Sequence, residues 1–136
     1  MQKLKERIKI YSRKKLVDHR GWFLKTLTGN EEYLQPQVGE IYFTCGFAGQ
    51  KKGGHYHPVA KEWFTLIQGK ALLRMEDTVS HENLEIPLDA EDPQTIYIPN
   101  GIAHAVECAE GCSQFVLCAY TDRQYDPMDT IAYEID

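Results

Sequence analysis

Residues 54–69 read GHYHPVAKEWFTLIQG and carry more information about the fold than any other part of the chain. His55 and His57 are two positions apart, so on an extended strand both imidazoles leave the same face. Glu62 adds a carboxylate five residues after the second histidine, and Gly69 ends the run where a hairpin is expected to turn. The stretch therefore predicts two nitrogen ligands and one oxygen ligand close together.

A second segment downstream completes the ligand set. It reads PNGIAH at residues 99–104 and ends in His104. Three neutral nitrogen donors and one anionic oxygen suit a divalent transition metal. We therefore predict that one metal ion is bound by His55, His57, Glu62 and His104.

The spacing of these two segments resembles the two motifs of the cupin superfamily. The rest of the chain reads as short runs of good β-formers between turn signals, without a convincing amphipathic helix. About nine or ten such strands imply an all-β, cupin-type jelly-roll β-barrel that holds its ligand in the mouth. We expect a strand from Val38 to Cys45, a loop from Gly46 to Gly54, and a final strand that covers a sheet edge.

Length and composition restrict the classes of function. The 136 residues suit a single domain, residues 1–136. The cupin resemblance implies that residues 1–17 form an N-terminal arm that packs on a partner subunit. A net charge of −5 gives no reason to expect nucleic acid or a membrane as partner. Residues 1–15 are basic and polar without a signal peptide's apolar core, so a cytoplasmic protein is expected. The four cysteines form no CxxC pair and are expected to stay reduced.

Further motifs narrow the resemblance to one group of cupins. In chain order they are Asp18-x-Arg20-Gly21-x-Phe23, Lys52-Gly53-Gly54-His55-Tyr56, the run from Ile98 to Ala105, and Tyr120 followed by Tyr125-Asp126-Pro127. From about residue 18 to the end, this order resembles the dTDP-4-dehydrorhamnose 3,5-epimerases. Residues 55–64 are also similar to the cupin domain of bifunctional capsular-sugar enzymes, in which the complete His and Glu set goes with a bound zinc. The resemblance implies a divalent ion, with zinc first and nickel, manganese or iron as alternatives.

The chain departs from these epimerases at several motif positions. They usually have Gln where this chain has His57, which gives this protein an additional ligand. They have Arg where this chain has Lys52, and a lysine weakens a bidentate grip on a diphosphate. Pro93 and Cys108 stand where the cupin pattern has Gly before the second motif and Asn after it.

The resemblance also implies roles for individual residues. In the epimerases, the base that removes a proton next to a carbonyl lies at the position of His55, and the acid lies at the position of Tyr120. If His55 binds metal it is not a free base, and then Tyr120, Tyr125, Tyr42 or Lys61 has to serve. The residues expected to bind substrate are Arg20, which contacts phosphate and reaches a neighbouring subunit, Phe23, Lys52 and Lys61.

These inferences predict an isomerase. We expect a metal-binding epimerase that removes a proton next to the keto group of a nucleotide-linked 4-keto sugar, in cell-surface polysaccharide or antibiotic sugar synthesis. The expected partners are a nucleotide sugar and a second copy of the chain in a homodimer. Two alternatives are an iron-dependent cupin dioxygenase and a non-catalytic cupin that binds a small sugar or acid.

Overall fold

The computed structural model describes residues 2–35 and 39–135. This part of the chain contains one four-residue helix, twelve strands and one short 3₁₀ turn at Pro127–Asp129. The other elements are α1 Leu4–Arg7, β1 Lys9–Ser12, β2 Lys15–Asp18, β3 Gly21–Leu24, β4 Ile41–Phe47, β5 Lys51–Tyr56, β6 Glu62–Gln68, β7 Lys70–Asp77, β8 Asn83–Asp89, β9 Gln94–Ile98, β10 Ile102–Cys108, β11 Gln114–Thr121 and β12 Ile131–Ala132. The predicted all-β class is confirmed.

Ten of the strands form two five-stranded antiparallel sheets. The first sheet has the order β1-β9-β6-β11-β4 and the second has the order β12-β5-β10-β7-β8, while β2 and β3 form a separate hairpin. From β4 onward the chain passes to the other sheet at every connection except that between β7 and β8. This alternation is the topology of the predicted jelly roll.

The inner faces of the two sheets enclose one apolar core. Phe64 and Leu66 of β6 face this core because alternate positions of a strand share one side. Trp63 and Thr65 face the other side of the same sheet and are buried there as well, at 1% exposure each. The core also includes Leu73, Met75, Ile96, Ile98, Ile102, Val106, Phe115 and Leu117.

Two local expectations from the sequence are wrong. Gly69 does not close a hairpin, because β6 and β7 lie in different sheets and the chain crosses between them at this residue. The predicted loop from Gly46 to Gly54 is mostly strand, since β4 extends to Phe47 and β5 begins at Lys51. Glycines here permit close packing of backbone and rings within strands, which composition alone does not distinguish from a loop.

Two further predictions concern the strand after Val38 and the edge strand in the tail. The strand expected from Val38 begins at Ile41 among the described residues, and Val38 itself lies outside them. The edge strand expected in the tail is confirmed, because β12 pairs with β5 at the border of the second sheet. The described residues contain more strands than the nine or ten expected, since the N-terminal segment forms three short ones.

A β-bulge in β5 sets the direction of His55. His104 pairs with His55, but the next residue, Ala105, pairs with Gly53, so that Gly54 is left over. Both glycines have positive φ, 100° at Gly53 and 83° at Gly54. A Cβ on Gly53 would lie 2.8 Å from the carbonyl oxygen of His104. The bulge therefore requires glycine, and it re-aims the histidine that follows it.

The N-terminal segment divides into two parts. Residues 2–12 belong to this chain's own barrel, because Leu4 and Ile8 are buried and β1 pairs with β9. The β2–β3 hairpin instead presents four apolar side chains to solvent, namely Leu16, Val17, Trp22 and Phe23. Packing on a partner subunit stays a prediction for this hairpin. In the described residues, no helix is long and apolar enough to cross a membrane.

Candidate metal centre

Three histidines meet at one end of the barrel. His55 lies near the end of β5, His57 follows just beyond that strand, and His104 lies opposite His55 on β10. Their ring centroids are 5.0 to 5.6 Å apart. One nitrogen of each ring lies within 4.8 Å of the other two. The structure thus brings together the three histidines that the two motifs supply.

Glu62 reaches this cluster from the opposite sheet. As the first residue of β6, it places Oε1 3.0 Å from Nε2 of His57 and 3.0 Å from Nε2 of His104. The Glu62 side chain is 2% exposed and that of His104 is 4% exposed. The carboxylate therefore has almost no solvent to balance its charge.

Backbone carbonyls fix the tautomers of two of the rings. Nδ1 of His57 lies 2.8 Å from the carbonyl oxygen of Asp129, and Nδ1 of His104 lies 3.0 Å from that of Ile102. A carbonyl oxygen only accepts, so each Nδ1 carries the proton and donates. In the neutral rings, Nε2 then holds a lone pair directed at Glu62, which is the usual arrangement of metal-binding histidines.

This arrangement leaves buried polar atoms without partners. Oε1 of Glu62 and Nε2 of His104 are fully buried and make no hydrogen bond within residues 2–35 and 39–135. Two lone-pair atoms 3.0 Å apart repel each other unless a proton or a metal cation lies between them. Ligands that share one ion at about 2.0–2.2 Å lie roughly 3–4 Å apart. The residues present therefore fit a divalent cation bound by nitrogen and oxygen.

The electrostatics follow from burial and from these contacts. Burial acts to raise the pKa of Glu62, but the neighbouring His104 and His57 outweigh it and hold that pKa well below its usual range. Burial acts to lower the pKa of His57, but its contact with Glu62 outweighs burial and raises the pKa. For His55, burial and the two neighbouring histidines together lower the pKa to about 4. The cluster is thus built around an ionised carboxylate.

Tyr42 holds the second oxygen of the carboxylate. Its hydroxyl donates to Oε2 of Glu62 at 3.0 Å. Burial and the charge of Glu62 raise the pKa of this phenol well above its usual range. Tyr42 therefore stays protonated, and its hydrogen bond leaves Oε1 directed at the histidines.

Two cavities meet at the cluster. The larger has a volume of about 580 Å³ and the smaller about 150 Å³, and both are lined by Tyr42 and His55. Among the described residues that line the larger cavity, Arg123 is the only lysine or arginine. The larger cavity is wide enough for part of a substrate of drug-like size to reach the histidines.

Comparison with known proteins adds a family to this geometry. A family model described as the polysaccharide biosynthesis C-terminal domain matches residues 16–133. The chain belongs to this family. No match was found among curated proteins.

Solved structures share the fold of this polysaccharide biosynthesis C-terminal domain. A dTDP sugar isomerase from Desulfovibrio desulfuricans is 16% identical, with a TM-score of 0.85 over 95% of this chain and 85% of that chain. The dTDP-6-deoxy-D-glucose-3,5-epimerase RmlC from Legionella pneumophila, in complex with dTDP-4-keto-L-rhamnose, is 18% identical, with a TM-score of 0.78 over 92% of this chain and 71% of that chain. These likenesses confirm the predicted cupin-type jelly roll.

The capsular polysaccharide assembling protein CapF from Staphylococcus aureus shares more sequence with the domain. It is 25% identical, with a TM-score of 0.68, and the match covers 90% of this chain. The same match covers 34% of CapF, so the chain corresponds to about one third of that protein.

The predicted catalytic tyrosines lie in different places in the domain. Tyr125 is 63% exposed and lines the larger cavity. Tyr120 does not line either of the two cavities at the histidines; its ring packs against that of Trp63, with centroids 5.6 Å apart. Alternation along β11 explains the difference, because the next residue, Thr121, faces the cavity and Tyr120 therefore faces away from it.

The predicted substrate-binding residues are not gathered at one place either. Lys52 is exposed and lines the smaller cavity, while Lys61 lines neither cavity at the histidines. Arg20 and Phe23 lie on the β2–β3 hairpin, where the Arg20 guanidinium pairs with Asp18 at 2.7 Å. Within one chain, the described residues of the hairpin do not line the cavities at the histidine cluster.

Sequence reasoning missed three residues of the site. Glu40 and Arg123 line the larger cavity, and Asp129 contacts His57 through its carbonyl group. Asp126-Pro127 at the start of the 3₁₀ turn was a usable signal for Asp129, because an acidic cap before proline marks an ordered turn. No motif in the sequence marks Glu40 or Arg123.

Proposed function

We propose that this protein is a metal-binding isomerase that epimerises a nucleotide-linked 4-keto sugar. The observation that carries the proposal is a pair of buried atoms, Oε1 of Glu62 and Nε2 of His104, that make no hydrogen bond in the described part of the chain and lie beside the cavity of about 580 Å³. A binding site for a polar ligand needs a few convergent polar groups at the end of such a cavity. The cluster provides them.

The comparisons support the choice of substrate class. The family model concerns polysaccharide biosynthesis, and the solved relatives with the same fold include enzymes that act on dTDP-linked sugars. Identities of 16% and 18% extend to the fold only, so the substrate is inferred from the family and the cavity together.

We propose that His55, His57, His104 and Glu62 hold the ion. Zinc suits three imidazoles and one carboxylate best, and nickel, manganese or iron are the alternatives. When bound, the ion would supply Lewis-acid polarisation to a carbonyl oxygen of the substrate. The protein fixes the rings through carbonyl contacts to His57 and His104, and it fixes the carboxylate through Tyr42.

The proton acceptor then has to be a group other than His55. Of the carboxylates that line the larger cavity, Glu62 faces the histidines, Asp129 accepts two backbone N–H groups and Asp126 accepts one. Glu40 makes no hydrogen bond or ion pair through its side chain in the described part of the chain, and its backbone is held by Thr121 on both sides. We assign Glu40 as the acceptor of the proton next to the keto group.

Tyr125 and Arg123 complete the arrangement. Tyr125 lines the same cavity and carries a hydroxyl that can return a proton to carbon. Arg123 is half exposed at the cavity, where a guanidinium can bind the diphosphate of the nucleotide. Tyr42 is unsuited to give up its proton, because burial and Glu62 raise its pKa.

Solvent deuterium exchange tests the function. The zinc-loaded protein is incubated with a dTDP-linked 4-keto-6-deoxy sugar in deuterated water, and we expect deuterium at carbon 3, carbon 5 or both. Glu40→Gln should abolish the exchange and keep the metal content, whereas Glu91→Gln, at an exposed carboxylate outside the cavity, should leave it unchanged.

Other outcomes would replace the proposal. A protein that binds the sugar tightly but incorporates no deuterium is a binding module. Oxygen consumption by the iron-loaded protein would indicate the dioxygenase. A protein that retains no divalent ion after purification and after reconstitution would remove the basis of the proposal.

A further inference from the structure

The last described part of the chain lies against the metal cluster. We call residues 126–133 the C-terminal strap; it consists of the 3₁₀ turn Pro127–Asp129, β12 and the residues around them. The strap starts at Asp126, whose carboxylate accepts the N–H of Met128 at 2.9 Å. It ends at Tyr133, whose N–H donates to the carbonyl of Gly54 at 2.9 Å. The first hydrogen bond braces the turn within the strap, and the second joins the strap to β5.

Asp129 makes two kinds of contact to the ligand-bearing segment. Its carbonyl accepts Nδ1–H of His57 at 2.8 Å. Its carboxylate accepts the N–H groups of Val59 and Ala60, at 2.8 and 2.9 Å. These two residues belong to the loop that links His57 to Glu62. One residue therefore fixes the tautomer of one ligand and the conformation of the loop between two ligands.

The strand of the strap holds the other part of the ligand set. β12 pairs with β5, with Ile131 opposite Tyr56 and Ala132 opposite His55. The strap is thus bonded to the backbone that carries His55 on one side and to the His57 ring on the other. Barrel strands β6 and β10, which carry Glu62 and His104, do not depend on these contacts.

We propose that the C-terminal strap is a structural component of the metal centre, with Asp129 as its positioning residue, and that metal binding and strap docking are coupled. The proposal rests on the metal centre proposed above. Pairing of β5 with β10 keeps His55 beside His104 whether or not the strap is docked. The His57 ring and the loop from His57 to Glu62 depend on Asp129, so undocking of the strap releases His57 from the other three ligands. By thermodynamic reciprocity, an ion that binds the docked form better must also stabilise docking.

Zinc affinity of matched variants tests the positioning role. Asp129→Asn keeps the shape but replaces one acceptor oxygen by an N–H₂ group that faces a backbone N–H. We expect zinc to bind about 10–100-fold more weakly, the usual effect of losing a group that orients a ligand, in competition with a chromophoric chelator. Asp126→Ala loosens the 3₁₀ turn at an exposed position and should weaken binding by a smaller factor.

Asp77→Asn is the control for a general loss of stability. Asp77 is also a buried aspartate, 5% exposed, that accepts two backbone N–H groups, from Val79 and Ser80. It contacts no predicted ligand. We expect Asp77→Asn to lower the melting temperature and to keep zinc affinity within about twofold of the wild type, since stability and metal geometry are separate at this site.

Hydrogen exchange tests the coupling. In the wild type, zinc should slow amide exchange in residues 129–133, and it should do so much less in Asp129→Asn. Equal zinc affinity in the wild type and in folded Asp129→Asn and Asp126→Ala, or strap exchange that zinc does not change, would overturn the strap proposal while the metal centre stands. A wild type that binds no zinc would overturn both.

Discussion

Oε1 of Glu62 lies 3.0 Å from Nε2 of His104, and both atoms are buried without a hydrogen bond inside the described ranges 2–35 and 39–135. In a protein without metal this contact is unfavourable whenever the ring is neutral, because two lone pairs then face each other in a poorly solvated site. With a cation it becomes a pair of ligands. The relationship predicts that stability at this site depends on the ion.

Zinc should decide whether the wild type or Glu62→Gln is the more stable protein. The Gln amide has the shape of the carboxylate and can donate N–H to the facing imidazole nitrogens. In a chelator at pH 8, we expect Glu62→Gln to be at least as stable as the wild type, since replacing a buried charge is often neutral or stabilising. With zinc at a hundredfold excess over its Kd, the wild type should gain about 2.7 kcal/mol and the variant much less. Thermal unfolding of the wild type and of Glu62→Gln, each in chelator and in zinc, measures this change of order. A variant less stable than the wild type in chelator as well as in zinc would contradict the prediction.

The two tyrosines predict a clear kinetic contrast. Tyr125→Phe removes a hydroxyl from the larger cavity, so we expect kcat to fall by about 10²–10⁴-fold, the usual size of general acid–base catalysis. Its KM should change little because the ring remains. Tyr120→Phe should keep kcat within about threefold, because Tyr120 packs on Trp63 away from the cavity. Steady-state kinetics of both variants on a 4-keto nucleotide sugar shows which tyrosine acts as the acid. A large fall in kcat for Tyr120→Phe, with none for Tyr125→Phe, would restore the role of Tyr120 that the family resemblance implied.

The meeting of the three histidines with Glu62 was accessible from the sequence because the spacing of both motifs resembles that of the cupins. Two histidines two positions apart at a strand end and a third after a proline–glycine turn leave few arrangements other than a common site. Tyr120 was not accessible in the same way. Its direction depends on the register of β11, which shifts between Val116 and Leu117, and a one-residue slip turns a side chain to the other face.

Contacts between distant segments explain the remaining differences. The carbonyl of Asp129 reaches His57 across 72 positions of the chain, and a backbone carbonyl leaves no trace in side-chain chemistry. Gly53 and Gly54 suggest a loop from their composition, although they form a β-bulge within a strand. Loops and bulges both use glycine for its ability to adopt positive φ, so composition does not distinguish them. The Asp129–His57 contact and the glycine bulge depend on tertiary structure, so local sequence patterns do not predict them.

The β2–β3 hairpin predicts a homodimer. In a single chain, Val17 is 71% exposed and Trp22 is 53% exposed, and apolar side chains grouped in this way usually mark an interface. Val17→Asp should shift the protein to a monomer in light scattering. Val79→Asp is the matched control, since Val79 is 81% exposed and lies in the turn after β7, outside the hairpin. A wild type that is monomeric at working concentrations would refute the interface.

We predict that Arg20 links this interface to the partner's site, as the family resemblance implies. The guanidinium is 80% exposed and lies at the turn of the hairpin, where packing of the hairpin on a partner would bring it to that partner's surface. We expect Arg20→Ala to raise KM for the nucleotide sugar in the dimeric protein, because a phosphate contact is lost, with little change in kcat. The same substitution in the monomeric Val17→Asp protein should have no further effect on KM, whereas equal effects in both would place Arg20 in its own chain's site.

The environment of Glu31 indicates how the free energy of unfolding changes at acidic pH. Its carboxylate accepts N–H of Thr28 and of Gly29 at 3.0 Å each and pairs with the Arg13 guanidinium at 2.5 Å. Burial acts to raise the pKa of Glu31, but these hydrogen bonds and the Arg13 contact outweigh it and lower the pKa to about 2. A pKa lower in the folded than in the unfolded protein means that the unfolded state binds the proton more tightly.

The stabilisation by Glu31 is therefore complete above about pH 5 and is lost as the pH falls toward 2. We expect Glu31→Gln to lower the free energy of unfolding by about 1–3 kcal/mol at pH 7 and to differ progressively less from the wild type below pH 4. Urea unfolding at a series of pH values measures both. Glu32→Gln, at the exposed neighbouring carboxylate, should leave the fall of the free energy of unfolding below about pH 5 unchanged. A Glu31→Gln curve parallel to that of the wild type from pH 7 to pH 2 would show that the carboxylate's charge contributes nothing to this network.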